Sequence, residues 1–298
     1  MVVVRISFGL ANQMFQYAAG RALALRNKQL FKLDLSFFDA RTIEDGPSHE
    51  KYGLKIFKGI DSVGWVSNKE ISSIRNKYEN KLIYRFLNKA KRAIGLQPFY
   101  TYCWEKKLLR FDSDILTKKG DIIYLNAYFQ NEFYFNDFQR IIKHDFEFKE
   151  SFIDQLNLEL GLKMQREESV SLHIRRGDYL GKRFVAPVDY YKRAIDYFLQ
   201  KLNSPSFYIF SDDPEWAKDN IIFDGNCNYV THNKFDNSYK DMYLMSKCKH
   251  NIIANSSFSW WGAWLNDNED KIVISPTNWF PEKNIYSSDV IPTNWLTL

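Results

Sequence analysis

His173-Ile174-Arg175-Arg176-Gly177-Asp178 closes a run, Ser169–Ile174, that reads as a buried strand. Two arginines at the carboxyl end of such a strand are costly to place without an anionic partner. Guanidinium offers a planar fork of donors that matches phosphate oxygens. Asp178 could pair with one arginine and leave the other for a ligand; a purely structural Arg–Asp pair is the competing reading, and the residues alone do not separate the two. Phe210-Ser211-Asp212-Asp213-Pro214 closes a second strand. Asp213 before Pro214-Glu215 is an ordinary helix start, which makes Asp212 the better ligand candidate, its carboxylate able to accept from hydroxyl or nucleobase edges. Asn255-Ser256-Ser257-Phe258-Ser259 is a hydroxyl-rich turn opening a helix. Such a turn is a natural anion site, with serine capping as the plainer alternative. The loop Gly9-Leu10-Ala11-Asn12-Gln13 follows the first strand; Gly9 permits close backbone approach or a positive φ, and Asn12 suits an N-cap.

Other devices are excluded. Gly177-Asp178-Tyr179-Leu180-Gly181-Lys182-Arg183 is one residue short of a Walker A loop and lacks Ser or Thr after Lys182, and no Gly-x-Gly-x-x-Gly occurs. Asp112-Ser113-Asp114 lies between apolar Phe111 and Ile115 and reads as a turn, not a metal site. The cysteines Cys103, Cys227 and Cys248 share no short spacing, so neither a thiolate zinc site nor a disulfide framework is indicated.

The elements that must position these groups follow from the chain's patterning. Its 298 residues suit two domains of ordinary size or one large one, and 45% apolar with 26% charged residues exclude a disordered chain. A net charge of +5 is too mild to imply nucleic acid. No run approaches the roughly 18 apolar residues of a membrane span, and the N-terminus lacks the pattern of a signal peptide; with few cysteines, a reduced, cytoplasmic setting is expected. The opening reads strand (2–6), helix (13–27), strand (31–35), the start of a βαβ unit. Residues 36–66 carry turn signals without periodicity, 99–104 and 121–129 read as strands, and 131–160 as helical. The polar segment 162–168 sets the expected boundary between domains 1–163 and 164–298. Five strands (169–175, 206–211, 227–231, 250–254, 271–275) alternate with helices at 188–202, 214–221, 239–247 and 259–267, which argues a parallel sheet covered by helices. Ligands of such sheets bind beyond the carboxyl ends of the strands, where these motifs fall. Residues 69–94 show one apolar stripe at helical spacing, with eight Lys/Arg between Lys69 and Arg92 against Glu70 and Glu79. A solvated face is the commoner reading and an anionic membrane contact the functional one.

In this order, Gly9–Tyr17, Tyr128-Phe129-Gln130-Asn131-Glu132, His173–Asp178, Phe210–Asp213 and Asn255–Leu265 resemble the α-1,2-fucosyltransferases of glycosyltransferase family 11. These share the His-x-Arg-Arg-x-Asp motif with α-1,6- and protein O-fucosyltransferases. The resemblance implies an α/β, GT-B-like fold of two Rossmann-like domains facing a central cleft, the N-terminal one on the acceptor side and the C-terminal one binding GDP-fucose. It implies metal-independent, inverting transfer of L-fucose to the 2-hydroxyl of a terminal β-galactose. Arg175 would bind the β-phosphate, with Arg176 and His173 on the nucleotide. Asp212 and Ser211 would meet guanine or ribose, and Asn255, Ser256, Ser257, Phe258 and Ser259 the diphosphate. Gly9 would approach the donor, and Asn12 the fucose and acceptor; Tyr128, Gln130 and Glu132 fall on the acceptor side. Asp178 is the nearest acid to serve as base, because position 183, near where the α-1,6 enzymes carry Glu, is arginine. A bacterial enzyme acting at the cytoplasmic face in surface-glycan assembly is implied. A protein O-fucosyltransferase and a non-enzymatic glycan-binding protein are the competing readings.

Overall fold

Val2, Val3 and Val4 are fully buried in the computed structural model, the continuous apolar pattern expected of a central parallel strand. Residues 1–39, 51–177, 184–280 and 285–298 are described, in two units, Met1–Glu147 and Phe148–Leu298. The first unit contains strands β1 (Val2–Arg5), β2 (Phe31–Asp34), β3 (Gly64–Val66), β4 (Tyr100–Cys103) and β5 (Ile122–Leu125). Its helices are α1 (Leu10–Asn27), α2 (Ser36–Asp39), α3 (Asn68–Arg75), α4 (Leu82–Ala93) and α5 (Gln139–Asp145). The sheet runs β3-β2-β1-β5-β4 and every pairing is parallel.

Helix α1 is Ala-rich and buried along most of its length. It lies so close to the sheet that a Cβ on Gly20 would sit 2.7 Å from the Phe31 ring and 3.0 Å from Val4. It ends where Lys28 turns left-handed (φ 51°) and returns its N–H to the Ala24 and Leu25 carbonyls. The stretch 69–94 is not one helix: α3 passes into a π turn at Asn76–Asn80 and breaks at Lys81, whose backbone is extended, before α4 begins. The three-residue edge strand β3 carries no alternation and was invisible to periodicity. The helical material expected over 131–160 is divided between α5, the start of the helix at Gln155–Arg166 and short 3-10 turns between them.

The second unit contains α6 (Gln155–Arg166), β6 (Ser169–Ile174), α7 (Val188–Lys201), β7 (Ser206–Ser211), α8 (Pro214–Asn220), β8 (Asn226–Val230), α9 (Tyr239–Lys247), β9 (His250–Ile252) and α10 (Ser257–Trp264). The chain ends with β10 (Val273–Ser275), β11 (Asn278–Phe280), β12 (Ile285–Tyr286) and β13 (Leu296–Thr297). Its main sheet runs β13-β10-β9-β6-β7-β8, again wholly parallel. The polar segment 162–168 is no linker: it forms the last turns of α6 and the entry to β6. Helix α6 packs on α9 at Gly161, where a Cβ would lie 3.3 Å from Tyr243. Much of the aromatic share is structural, since Trp260 and Trp261 are fully buried and meet Trp264 and Trp295. No described helix is long and apolar enough to cross a membrane.

Candidate active site

The order of the second sheet fixes where a ligand can enter. From β6 the chain winds outward through β7 and β8, then returns to place β9, β10 and β13 on the other side. The switch point lies between β6 and β9, and crevices open at the carboxyl ends of strands there. Those ends carry Arg175 and Arg176 after β6, Ser211–Asp213 after β7, and Asn255–Ser259 after β9, so the structure gathers all three motifs at one edge. Buried Tyr190 of α7 pins that edge: its hydroxyl donates to the Ile253 carbonyl (2.6 Å) and also lies 3.0 Å from the Ile274 carbonyl.

The two arginines are held from the neighbouring strand. In register, Ile174 pairs with Ser211, which brings the next residues of each strand together. Arg175 Nη1 lies 3.0 Å from Asp212 Oδ2. The Asp212 carboxylate also accepts from the Arg176 backbone N–H (2.8 Å) and the Gly177 N–H (3.1 Å). A Cβ on Gly177 would lie 2.9 Å from Asp212 Oδ2, so glycine is what lets the carboxylate seat there. Asp213 caps α8 by accepting from the Trp216 N–H and pairs with Arg176 Nε at 3.0 Å. The Arg176 guanidinium lies 3.6 Å over the Trp216 ring. Arg176 is thereby committed to the fold, whereas the Arg175 side chain keeps 31% of its surface exposed. Among the described residues the carboxylates that pair with the two arginines are Asp212 and Asp213; Asp178 lies outside the described residues. Ser211 serves its own turn, its hydroxyl accepting from the Asp213 N–H.

Of the serine turn, Ser256 caps α10, accepting from the Phe258 N–H, and buried Ser259 donates to the Ser256 carbonyl. Buried Asn255 spends its amide on the carbonyls of Phe184 (2.6 Å) and Trp279 (2.7 Å), a clamp on two other segments. Ser257 and Phe258 are the half-exposed members, at the first turn of α10. Backbone N–H groups and the helix dipole at such a turn favour an anion.

His173 is buried one residue before the edge, its ring 5.8 Å from that of Phe258. Burial, and then the charge of Arg175, press its pKa down to about 3. Its Nδ1 is buried and has no partner among the described residues, and an imidazole kept neutral in this way is a weak proton acceptor. The expected result is that nitrogen-15 shifts of His173 stay those of a neutral ring from pH 8 down to about pH 5, through the range where an ordinary histidine titrates near 6.5. A midpoint near the ordinary value would overturn this.

In the first unit the switch point falls between β1 and β5, and it gathers the remaining expected residues. Gly9 is the N-cap of α1 but has extended backbone; Phe8 before it holds the left-handed φ of 64°. Asn12 is therefore not the cap. Its Oδ1 accepts from Gln130 Nε2 at 2.5 Å, joining two expected residues that are 118 positions apart. Tyr128 stacks on Phe8 with centroids 5.2 Å apart, and half-buried Glu132 opens a 3-10 turn. Gln13 fixes the loop, donating to the Phe8 and Lys51 carbonyls and accepting from the Gly53 N–H.

Sequence reasoning missed Glu105. Its carboxylate accepts from the Phe129 N–H (2.9 Å) and the Tyr128 N–H (3.2 Å), holding the segment in which Phe129 takes a φ of 55°. Burial raises its pKa to about 7 against those two donors. The only sequence signal was its place just after a strand. Asp112 and Asp114 stand in the expected turn, both paired with Lys106. A cavity of ≈ 480 Å³ lined by Arg75, Tyr78, Glu79, Arg85, Arg92 and Trp104 among others includes none of these candidates.

Residues 74–298 match the family described as glycosyl transferase family 11. The chain is 34% identical to the alpha-1,2-colitosyltransferase of Escherichia coli, over 100% of this chain and 99% of that protein. It is 36% identical to the O-antigen biosynthesis glycosyltransferase WbnK of Escherichia coli, over 98% of this chain and 99% of that one. Arabidopsis thaliana FUT1, solved in complex with GDP, superposes with a TM-score of 0.54 at 14% identity, covering 93% of this chain and 71% of its own. That likeness bears on the fold, an α/β, GT-B-like one with parallel sheets.

Proposed function

Since the chain belongs to glycosyl transferase family 11, we propose that it is an inverting galactoside α-1,2-fucosyltransferase that moves L-fucose from GDP-fucose to the 2-hydroxyl of a terminal β-galactose without a metal ion. The observation that carries the reading is Arg175, half-exposed at the switch point and held at 3.0 Å by Asp212, on the strand beside the one that leads into the first turn of α10. In the reaction the bond from fucose C1 to the β-phosphate oxygen breaks, and GDP leaves with added negative charge on that phosphate. Arg175 would meet this charge, with the α10 turn taking further phosphate oxygens, and a fixed guanidinium can do so in place of a divalent ion. Arg176 supports Arg175, and His173 offers the nucleotide a neutral hydrogen-bonding edge. Ser256, Ser259 and Asn255 shape the turn that Ser257 and Phe258 present. In the other unit the Asn12–Gln130 pair leaves the Asn12 amide to donate to a sugar hydroxyl, and Tyr128 offers a stacking face. The base is assigned to Asp178.

One relative favours a second donor. Colitose is L-fucose without the 3-hydroxyl, and the colitosyltransferase aligns with this whole chain. The test is a reaction with lactose and excess EDTA in which GDP-fucose and GDP-colitose compete, read by mass spectrometry with linkage by NMR. Fucose on the galactose 2-hydroxyl is the expected product. Preference for GDP-colitose would overturn the donor, GDP release without transfer to lactose would overturn the acceptor, and loss of turnover in EDTA would overturn metal independence.

A further inference from the structure

We infer that the outward face of α4 docks on an anionic lipid bilayer. The helix is packed inside out. Its buried residue is Asn88, whose Oδ1 accepts from the backbone N–H groups of Phe99 (2.9 Å) and Tyr100 (3.4 Å) beside the edge strand β4. Arg92 donates from the same side to the Tyr100 carbonyl at 3.2 Å. With the polar side turned to the domain, the apolar arc faces away from it. Leu82 is 75% exposed, Ile83 63% and Phe86 71%, and beyond the helix end Ile94 is 72% and Leu96 55% exposed. Single exposed apolar side chains are ordinary, but an arc of them along one helix face marks an interaction surface.

The charges around the arc say what covers it. From Lys81 to Trp104 the chain has five cations, Lys81, Arg85, Lys89, Lys91 and Arg92, and no acid. At 100° per residue, Lys89 and Lys91 border the apolar arc on its two sides. A second copy seated face to face would bring these cations against their own kind. An anionic bilayer meets both features: leucine, isoleucine and phenylalanine enter the acyl boundary while the lysine stems reach phosphate headgroups. The inference stands on the first unit alone and is independent of the donor.

The experiment is co-sedimentation of the full chain with vesicles of phosphatidylcholine, with and without roughly one-third phosphatidylglycerol. Binding to the anionic vesicles is expected to be about tenfold tighter than to the neutral ones, and to weaken in high salt. The pair Leu82→Asp with Phe86→Asp, and separately Lys89→Glu with Lys91→Glu, should each lose about that much. Leu82, Phe86 and Lys89 are exposed, so the aspartate pair should leave melting temperature and transfer to soluble lactose unchanged, whereas Lys91 is half-buried with its ammonium 3.7 Å from the centre of the Phe99 ring, so for the glutamate pair the unchanged readout is transfer to soluble lactose. Equal binding to both vesicle types, or charged-vesicle binding indifferent to both pairs, would overturn the inference. So would a dimer in sedimentation velocity that the Phe86→Asp change dissolves.

Discussion

Arg175→Ala is expected to lower kcat with a soluble galactoside by about 10²–10³-fold, the usual cost of removing one preorganised donor from a site where charge develops. The effect should fall on kcat more than on GDP affinity. Ground-state phosphates keep the first turn of α10 and the rest of the pocket, whereas the charge released on bond cleavage is new and needs the guanidinium already in place. The ion pair holding Arg175 leaves both side chains partly exposed, and such pairs contribute about 0–1 kcal/mol to stability. The variant should therefore melt close to the parent, which separates catalytic loss from unfolding. Arg175→Lys should recover little, because an ammonium cannot keep one donor on Asp212 and aim others in a planar fork. Kinetics together with calorimetric GDP binding decide the matter. An Arg175→Ala enzyme within about tenfold of the parent in kcat would remove this arginine from the chemistry.

Much of the second sheet could be read before any coordinates, for identifiable reasons. Ser169–Ile174, between Glu168 and Arg175, and Ser206–Ser211, between Pro205 and Asp212, are short, largely apolar runs with sharp ends, and parallel strands buried on both faces look like that. Asp213-Pro214 marks a helix start through local chemistry that needs no tertiary knowledge. What stayed hidden was pairing. Asp212 and Asp213 are far from the arginines in sequence, yet they meet them because the register of Ile174 on Ser211 brings the next strand's carboxylates alongside. Asn12 looked like a cap until Gly9 took that place and Gln130 took the Asn12 carbonyl. Glu105 carried no motif at all; its role rests on two backbone N–H groups brought from the following strand's exit. In α4 the periodicity was visible and its meaning was not, since a stripe does not say which side the domain will bury.

Asp212 supplies the second large effect, and it separates two roles that the sequence left open. If its task is to hold Arg175 and the Arg176–Gly177 backbone, Asp212→Ala should lower kcat/KM by about 10²-fold, approaching the loss from Arg175→Ala. Asp212→Asn, which keeps an acceptor for one backbone N–H but not the charge, should lose about tenfold. The double variant Arg175→Ala/Asp212→Ala should then be little worse than Arg175→Ala alone, because the second change removes support from a group already gone. If Asp212 instead grips guanine or ribose directly, its loss should appear mainly as a higher KM for GDP-fucose and should multiply with that of Arg175. The geometry favours the first outcome. One oxygen is committed to the Arg176 N–H, the other is shared by Arg175 and the Gly177 N–H, and Gly177 has no Cβ where one would crowd that oxygen. A carboxylate already engaged by three donors holds the arginine beside it, and the double-variant kinetics decide whether it also meets the nucleotide.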